Sequence, residues 1–548
     1  MTLLLDMVHH NPGEPPFASR YTDPAFLAQL GYSGQVLKHL NACVPLDTFP
    51  ASDAERQWLA AAQAARDAEI TDAKAAGLDV YYHVDLFVLP RCVVESRRAE
   101  LCDANGRVDL TRPAVLELHR ALFSALFARY PQVDGLVTRV GETYLFDTPH
   151  HAGNTAVPMH DPNVGREEMI RRFTLLVRFL RDEICVRHGR RLIYRTWDYF
   201  GDRFHADADF YRAVTDAVEP HPNLLFSIKH TAGDFFRGCK PNPCLGVGRH
   251  PQIVEVQCAR EYEGKGAYPN YIARGVIEGF REVPEPCGLR DWARSPLFAG
   301  VWTWSRGGGW YGPYLAHEFW PDLNARVLAA WTRDPATPEA EHFRRVCRQV
   351  HGMNDDSIYA LREICDVAEQ AIWLGRSVPE FARLRQFADC DSAWLWMRDD
   401  RLGGLEQLGE MFRLLEQAGR LDAAVAEKRE AARLFATLPA RAAHVRTADP
   451  ATTDAIRTST EYGARLFALI ALGWELMVRR WRARNGIFTE PVRESDLVRF
   501  QAALASYRQV ATLPGCASLY QLTYWSWPGQ PPAPGMEASV LGDSHPAP

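Results

Sequence analysis

The chain has 548 residues, 47% of them hydrophobic and 11% aromatic, enough apolar material for large cores and too much for a disordered protein. Its 62 basic and 68 acidic residues are intermixed and leave a net charge of −6, so no basic field for nucleic acid is present. Length favours two or more domains, and no run approaches the roughly 18 apolar residues that would span a bilayer.

The first segment, "MTLLLDMVHHNPGEPPF", has four apolar residues before Asp6 and no basic leader, so a secretory signal is not expected and a cytoplasmic location is. The 12 cysteines are scattered without CxxC pairs. The closest are Cys239 and Cys244, and scattered thiols in an unsecreted chain are read as reduced, buried small hydrophobes.

In chain order, β-rich runs occur at "TLLLDMV" (2–8), "GQVL" (34–37), "DVYYHVDL" (79–86) and "GLVTRVGE" (135–142). They continue at "RLIYRTWD" (191–198), "NLLFSIKH" (223–230), "QIVEVQCA" (252–259) and "LFAGVWTW" (297–304). Amphipathic helical patterns such as "RPAVLELHRALFSALFARY" and "REEMIRRFTLLVRFLRDEICVRHG" lie between several of them. Eight strands alternating with helices predict a (β/α)8 TIM barrel over residues 1–334. From residue 335 to 526 no further strands are expected and 3.6-period patterns take over, predicting an all-helical C-terminal domain. There Tyr462, Leu466, Leu469, Ile470, Trp474 and Met477 fall on one helical face, and a helix breaks near Gly419 and resumes. Residues 527–548 are Pro-rich and read as an extended tail.

Active sites of this fold sit at the C-terminal ends of the strands. The ends present His9 and His10; His83 and Asp85; Glu142; Arg195, Trp197 and Asp198; Lys229, His230 and Asp234; Gln257, Glu261 and Tyr262; and Trp302, Trp304 and Arg306. Any one of these is as readily a structural salt bridge or loop anchor. The gathering of three carboxylates from different strands, with cations and aromatics, points instead to glycoside hydrolysis, which needs one protonated acid and one carboxylate base. A metal-dependent hydrolase is the rival, resting on His83-Val84-Asp85 and the His9-His10 and His150-His151 pairs. Arg195 and Lys229 stand where further ligands would be needed, and cations there would repel a metal ion. No metal and no cofactor are expected.

Five blocks in order then carry a resemblance. "VEVQCAREYEGKG" supplies Gln257, Glu261, Tyr262 and Gly264; "FSIKHTAGDFF" supplies Lys229, Asp234 and Phe235; "RLIYRTWDYF" supplies Arg195; "RVGETY" supplies Glu142; "GGGWYGPYLAHEFWPDLNARVLAAWTRDPA" follows the eighth strand. Together they resemble the α-glucuronidases of glycoside hydrolase family 67. The resemblance implies an exo-acting, inverting hydrolase releasing (4-O-methyl)-glucuronic acid from xylo-oligosaccharides or a related uronic-acid-bearing glycan. It implies Glu142 as general acid and Asp234 and Glu261 as the carboxylates that activate water, about 6.5–9.5 Å from the acid. Arg195 and Lys229 would hold the uronic carboxylate, with Trp197, His83, Asp85, Arg139, Gln257, Tyr262, Trp302, Trp304 and Arg306 around the sugar. Trp310 or Tyr311 in "GGGWYGP" would close over it, and the helical domain could form a homodimer interface.

Two departures loosen the substrate reading. The family carries a Lys four residues before its acid; here that position is Thr138, and alternation turns the neighbouring Arg139 to the other face unless a bulge intervenes, so one substrate cation is expected to be missing. The family's N-terminal β-domain is also not seen before the first strand. A glycosidase of similar mechanism on another glycoside, and a non-catalytic carbohydrate-binding protein, therefore stay open.

Overall fold

The computed structural model describes residues 2–8, 18–38, 40–86, 88–140, 148–152, 164–197, 204–261, 263–306, 317–386, 397–398, 401–511 and 535–542. Eight parallel strands close into a barrel: β1 (Leu3–Val8), β2 (Gly34–Lys38), β3 (Asp79–Asp85), β4 (Gly135–Arg139), β5 (Arg191–Arg195), β6 (Leu224–Lys229), β7 (Gln252–Gln257) and β8 (Phe298–Arg306). Each pairs with its neighbours in sequence, and β8 closes on β1 with Leu4 opposite Val301 and Leu5 opposite Trp302. This is the expected (β/α)8 architecture.

Alternation along each strand sorts the side chains into two layers. Leu5, Met7, Val36, Tyr81, Val137, Ile193, Leu225, Ile253, Trp302 and Trp304 form a core inside the barrel. Their neighbours, such as Leu4, Val80, Tyr82, Leu136, Leu192, Phe226, Val254 and Val301, belong to the second core outside it. Both faces are buried, which is why the strands read as nearly continuous apolar runs. The surrounding helices are set by ordinary caps. Asp53–Ala75 starts with a Ser52/Glu55 capping box, Pro113–Arg129 with proline in its first turn, and Ala208–Thr215 with the Asp207 side chain accepting from two backbone N–H groups.

After β8 the chain is mainly helical, with helices at Phe319–Arg333, Glu339–Gln349, Asp355–Arg376, Leu405–Gln417, Leu421–Phe435, Pro450–Arg484 and Glu494–Ala511. The apolar stripe from Tyr462 to Met477 is buried, and the break at Gly419 takes a left-handed conformation, φ 67°. Two features depart from the sequence reading. A two-residue antiparallel ladder joins Met397–Arg398 to Arg401–Leu402, too short for any periodicity to announce it. The Pro-rich tail contains a helix, Met536–Leu541, because Met536 and Val540 lie one turn apart and both bury completely; Met536 packs against Gly473. No helix among the described residues is long and apolar enough to cross a membrane.

The helical region packs on the loops that follow β6 and β7. Tyr268 meets Phe435 and Phe467 edge-on, Trp373 covers Gly238, and Arg274 is paired with Asp366 and Glu369. The strand-end loops are thereby held from behind.

Candidate active site

At the strand ends, inner-face positions change from apolar to charged. On β3, Tyr81 is followed on the same face by His83 and Asp85; on β4, Val137 is followed by Arg139. Arg139 Nε donates to Asp85 Oδ1 at 2.8 Å, and both side chains are about 1% exposed. The expected orientation is thus reversed. Val137 sets the register, so Arg139 faces the interior and Thr138 the outer layer, where it is fully buried. The alternation rule holds; what differs is which of the two neighbours faces inward, and β4 ends at Arg139. Arg139 thus brings a cation to the inner face, one position along from Thr138.

On β5 and β7 a second buried pair forms. Arg195 Nε lies 2.9 and 3.0 Å from the two Glu255 oxygens, and Ser227 Oγ donates to Glu255 at 2.8 Å. The Arg195 guanidinium rests over the Trp304 ring at 4.8 Å, with Trp302 at 5.8 Å. On β6, Lys229 donates to Asp234 Oδ1 at 2.8 Å and stands 3.4 Å above the Trp197 ring. The loop between them brings Phe235 back into the barrel, where it packs edge-on against Trp304.

The segment after β7 divides its charges between two environments. Glu261 accepts the backbone N–H of Phe235 at 2.9 Å, which ties it to the loop that carries Asp234. Glu263 turns away. Arg237 donates to it from its backbone and from Nε, reaches Glu282 at 3.2 Å and Asn270 at 2.8 Å, and is completely buried. Arg260 joins this cluster and lies over Phe280 at 3.6 Å. Gly264, Lys265 and Gly266 all have positive φ (85°, 45° and 92°), a left-handed turn that needs glycine on both sides of the lysine.

Two imidazoles line this region as neutral groups. Burial, then the Lys229 charge, holds His205 well below its ordinary value. Burial, then the Arg260 charge, takes His230 down to about 3.

Asp234 and Glu261 are brought together with Lys229, Trp197 and Phe235, while Arg139, Asp85, His83, Arg195, Gln257, Trp302 and Trp304 occupy inner-face positions at the mouth. Trp302, completely buried, is a wall of the core beneath it. Arg306 is drawn to the rim by Glu318 at 2.6 Å. Glu142, Tyr262, His9, His10, Asp198, Trp310 and Tyr311 lie outside the described residues. His150 and His151 pack against Trp58, away from any cluster of ligands. Among the described residues no group of three or more His, Cys, Asp or Glu side chains is arranged to hold a metal ion. Sequence reasoning missed Glu255, Ser227, Arg237 and Glu282. Glu255 was within reach: it is the one acid in "QIVEVQ" and shares a face with Ile253 and Gln257.

No protein-family model and no curated protein matches the chain. Among solved structures, a GH138 enzyme targeting pectin rhamnogalacturonan II is similar with a TM-score of 0.52 at 11% identity, over 95% of this chain and 64% of that one. The chain thus spans under two thirds of that enzyme's length. A Thermobaculum terrenum O-GlcNAc hydrolase mutant aligns with a TM-score of 0.39 at 11% identity, over 93% of each chain. At these identities the first likeness speaks for the fold.

Proposed function

We propose that the protein is a glycoside hydrolase, exo-acting and inverting, that removes a uronic acid unit in the manner of the α-glucuronidases its motifs resemble. The observation that carries this reading is the pairing of two carboxylates, Asp234 and Glu261, with an arc of inward cations on adjacent strands: Arg139 on β4, Arg195 on β5 and Lys229 on β6. Carboxylates at this position serve to activate water, and cations beside them suit a substrate that itself carries a carboxylate. The half-buried Trp197 offers apolar surface to a sugar ring.

In this mechanism Glu142 gives its proton to the glycosidic oxygen as the C1–O bond breaks. Asp234 and Glu261 take a proton from the water whose oxygen bonds to C1 from the opposite side. Lys229 donates to Asp234 and fixes the orientation of its carboxylate, and the Phe235 N–H does the same for Glu261. Glu255 and the Trp304 ring orient Arg195 toward the substrate carboxylate.

The test is incubation of the EDTA-treated protein with xylan- and pectin-derived oligosaccharides bearing α-linked uronic acids, followed by NMR of the released sugar. Release of the β-anomer is expected. Release of the α-anomer would overturn inversion, and no release from any member would overturn the hydrolase. Asp234→Asn is expected to lower kcat by about 10²–10⁴-fold with the fold intact.

A further inference from the structure

One acceptor at the mouth is left without a donor. Asp85 receives Arg139 on Oδ1, while its Oδ2 is buried and makes no hydrogen bond. A buried carboxylate oxygen in this state forgoes a charge-assisted bond, an arrangement that persists where a ligand completes it. Asp85 does not lack support. Arg139 fixes its carboxylate, Asn41 holds its backbone carbonyl at 3.0 Å, and its position on β3 faces the interior with Tyr81 and His83.

The barrel's geometry says which part of a substrate arrives there. In a closed ring of eight strands, β3 stands across from β7, the strand that leads to Glu261. Asp234 and Glu261 define where the anomeric carbon must lie on the reading above, on which this inference rests. The atom of a pyranose ring opposite C1 is C4. A sugar with C1 at the β6–β7 side and its carboxylate against the Arg139–Arg195–Lys229 arc therefore turns its C4 substituent toward Asp85.

We infer that Asp85 accepts a hydrogen bond from a free C4 hydroxyl of the terminal sugar, so that the site selects uronosides unsubstituted at O4. A 4-O-methyl ether has no proton to donate and leaves the buried oxygen unsatisfied. A 4-deoxy sugar does the same without added bulk.

The experiment compares binding of glucuronic acid, its 4-O-methyl ether and its 4-deoxy analogue by titration calorimetry, alongside hydrolysis of the matching xylobiosides. Wild type is expected to favour the free hydroxyl over the deoxy analogue by at least about tenfold, the effect of a charge-assisted hydrogen bond. Asp85→Asn is expected to bring that ratio toward one. Thermal melting checks its fold, and Arg139→Lys, which keeps the charge but loosens the carboxylate's hold, should lower the ratio without abolishing it. Equal binding of the three sugars by wild type, or an unchanged ratio in Asp85→Asn, overturns the inference. C4 discrimination in binding without hydrolysis would sustain it while removing the hydrolase reading; absence of binding by all three would overturn it outright.

Discussion

The barrel mouth and the helical region handle charge in opposite ways. At the mouth Arg139–Asp85 and Arg195–Glu255, and in the loops behind it Arg237–Glu263, are ion pairs with both partners almost fully removed from water. In the helical region many pairs are surface neighbours one turn apart, such as Arg413 with Glu410 and Arg433 with Glu430. One buried basic group there, Lys428, donates to the Leu374 and Ser377 carbonyls at the end of the Asp355–Arg376 helix, and burial draws its value down to about 7. Buried ion pairs are a poor way to gain stability, because desolvation offsets the attraction. Their concentration at the strand ends fits a region kept for geometry and recognition, while the helices provide the apolar support behind it.

That contrast can be broken most sharply at Arg237. Arg237→Ala leaves Glu263 and Glu282 buried without their main cation, and a loss of about 3–5 kcal/mol is expected. Urea unfolding, followed by tryptophan fluorescence, would reveal it; a loss below about 1 kcal/mol would mean that water or Arg260 compensates, and that the cluster is not tightly closed.

A buried carboxylate without any cation gives the next effect. Asp6 lies on the outer face of β1, accepting from Thr303 Oγ1 at 2.6 Å and Ser305 Oγ at 2.8 Å. Burial lifts its carboxyl to about 7, although these hydrogen bonds pull it down. Between its unfolded value near 4 and about 7 the folded protein holds the proton and the unfolded chain does not. Stability from this group is therefore full below pH 4 and is lost as pH rises to about 7, by on the order of 4 kcal/mol. Asp6→Asn removes that slope. Melting temperatures of the two proteins at pH 5 and pH 8 should diverge, with the wild type losing more on going to pH 8; parallel curves would show that Asp6 is ionised throughout.

The difference between the two regions also governs what could be read from sequence. All eight strands were legible because both their faces are apolar, and the Tyr462–Met477 stripe because its period is long. The strand-end chemistry was legible as residue types, since carboxylates and cations cluster after each run. Partners were not. Alternation alone does not say whether Thr138 or Arg139 faces inward, and Glu255 reads as one more residue of a buried strand. Glu261 and Glu263 share parity in "EYE" yet go to different environments. The Gly264–Gly266 turn and the Arg237 cluster decide that, and they depend on a loop 26 residues upstream that local spacing cannot register.

The smallest effects test whether the helices truly support the site. Gly463, inside the Pro450–Arg484 helix, has no room for a methyl group: a Cβ there would lie 2.6 Å from the Phe435 ring and 3.2 Å from Tyr268 Cβ. Phe435 cannot easily retreat, being stacked on Phe467 with ring centres 3.9 Å apart. Alanine ordinarily gains about 1 kcal/mol over glycine in a helix, but overpacking of about 1–3 kcal/mol opposes it, for a net loss of up to about 2 kcal/mol. Because Tyr268 belongs to the same segment after β7 as Glu261, Gly463→Ala should lower kcat as well as the melting temperature. The control is Arg433→Ala on the solvent face of the Leu421–Phe435 helix, an exposed i,i+3 pair whose removal should change neither quantity measurably. A melting temperature lowered without any change in kcat for Gly463→Ala would separate the two regions: the helices would then stabilise the barrel without holding the carboxylate loop in place.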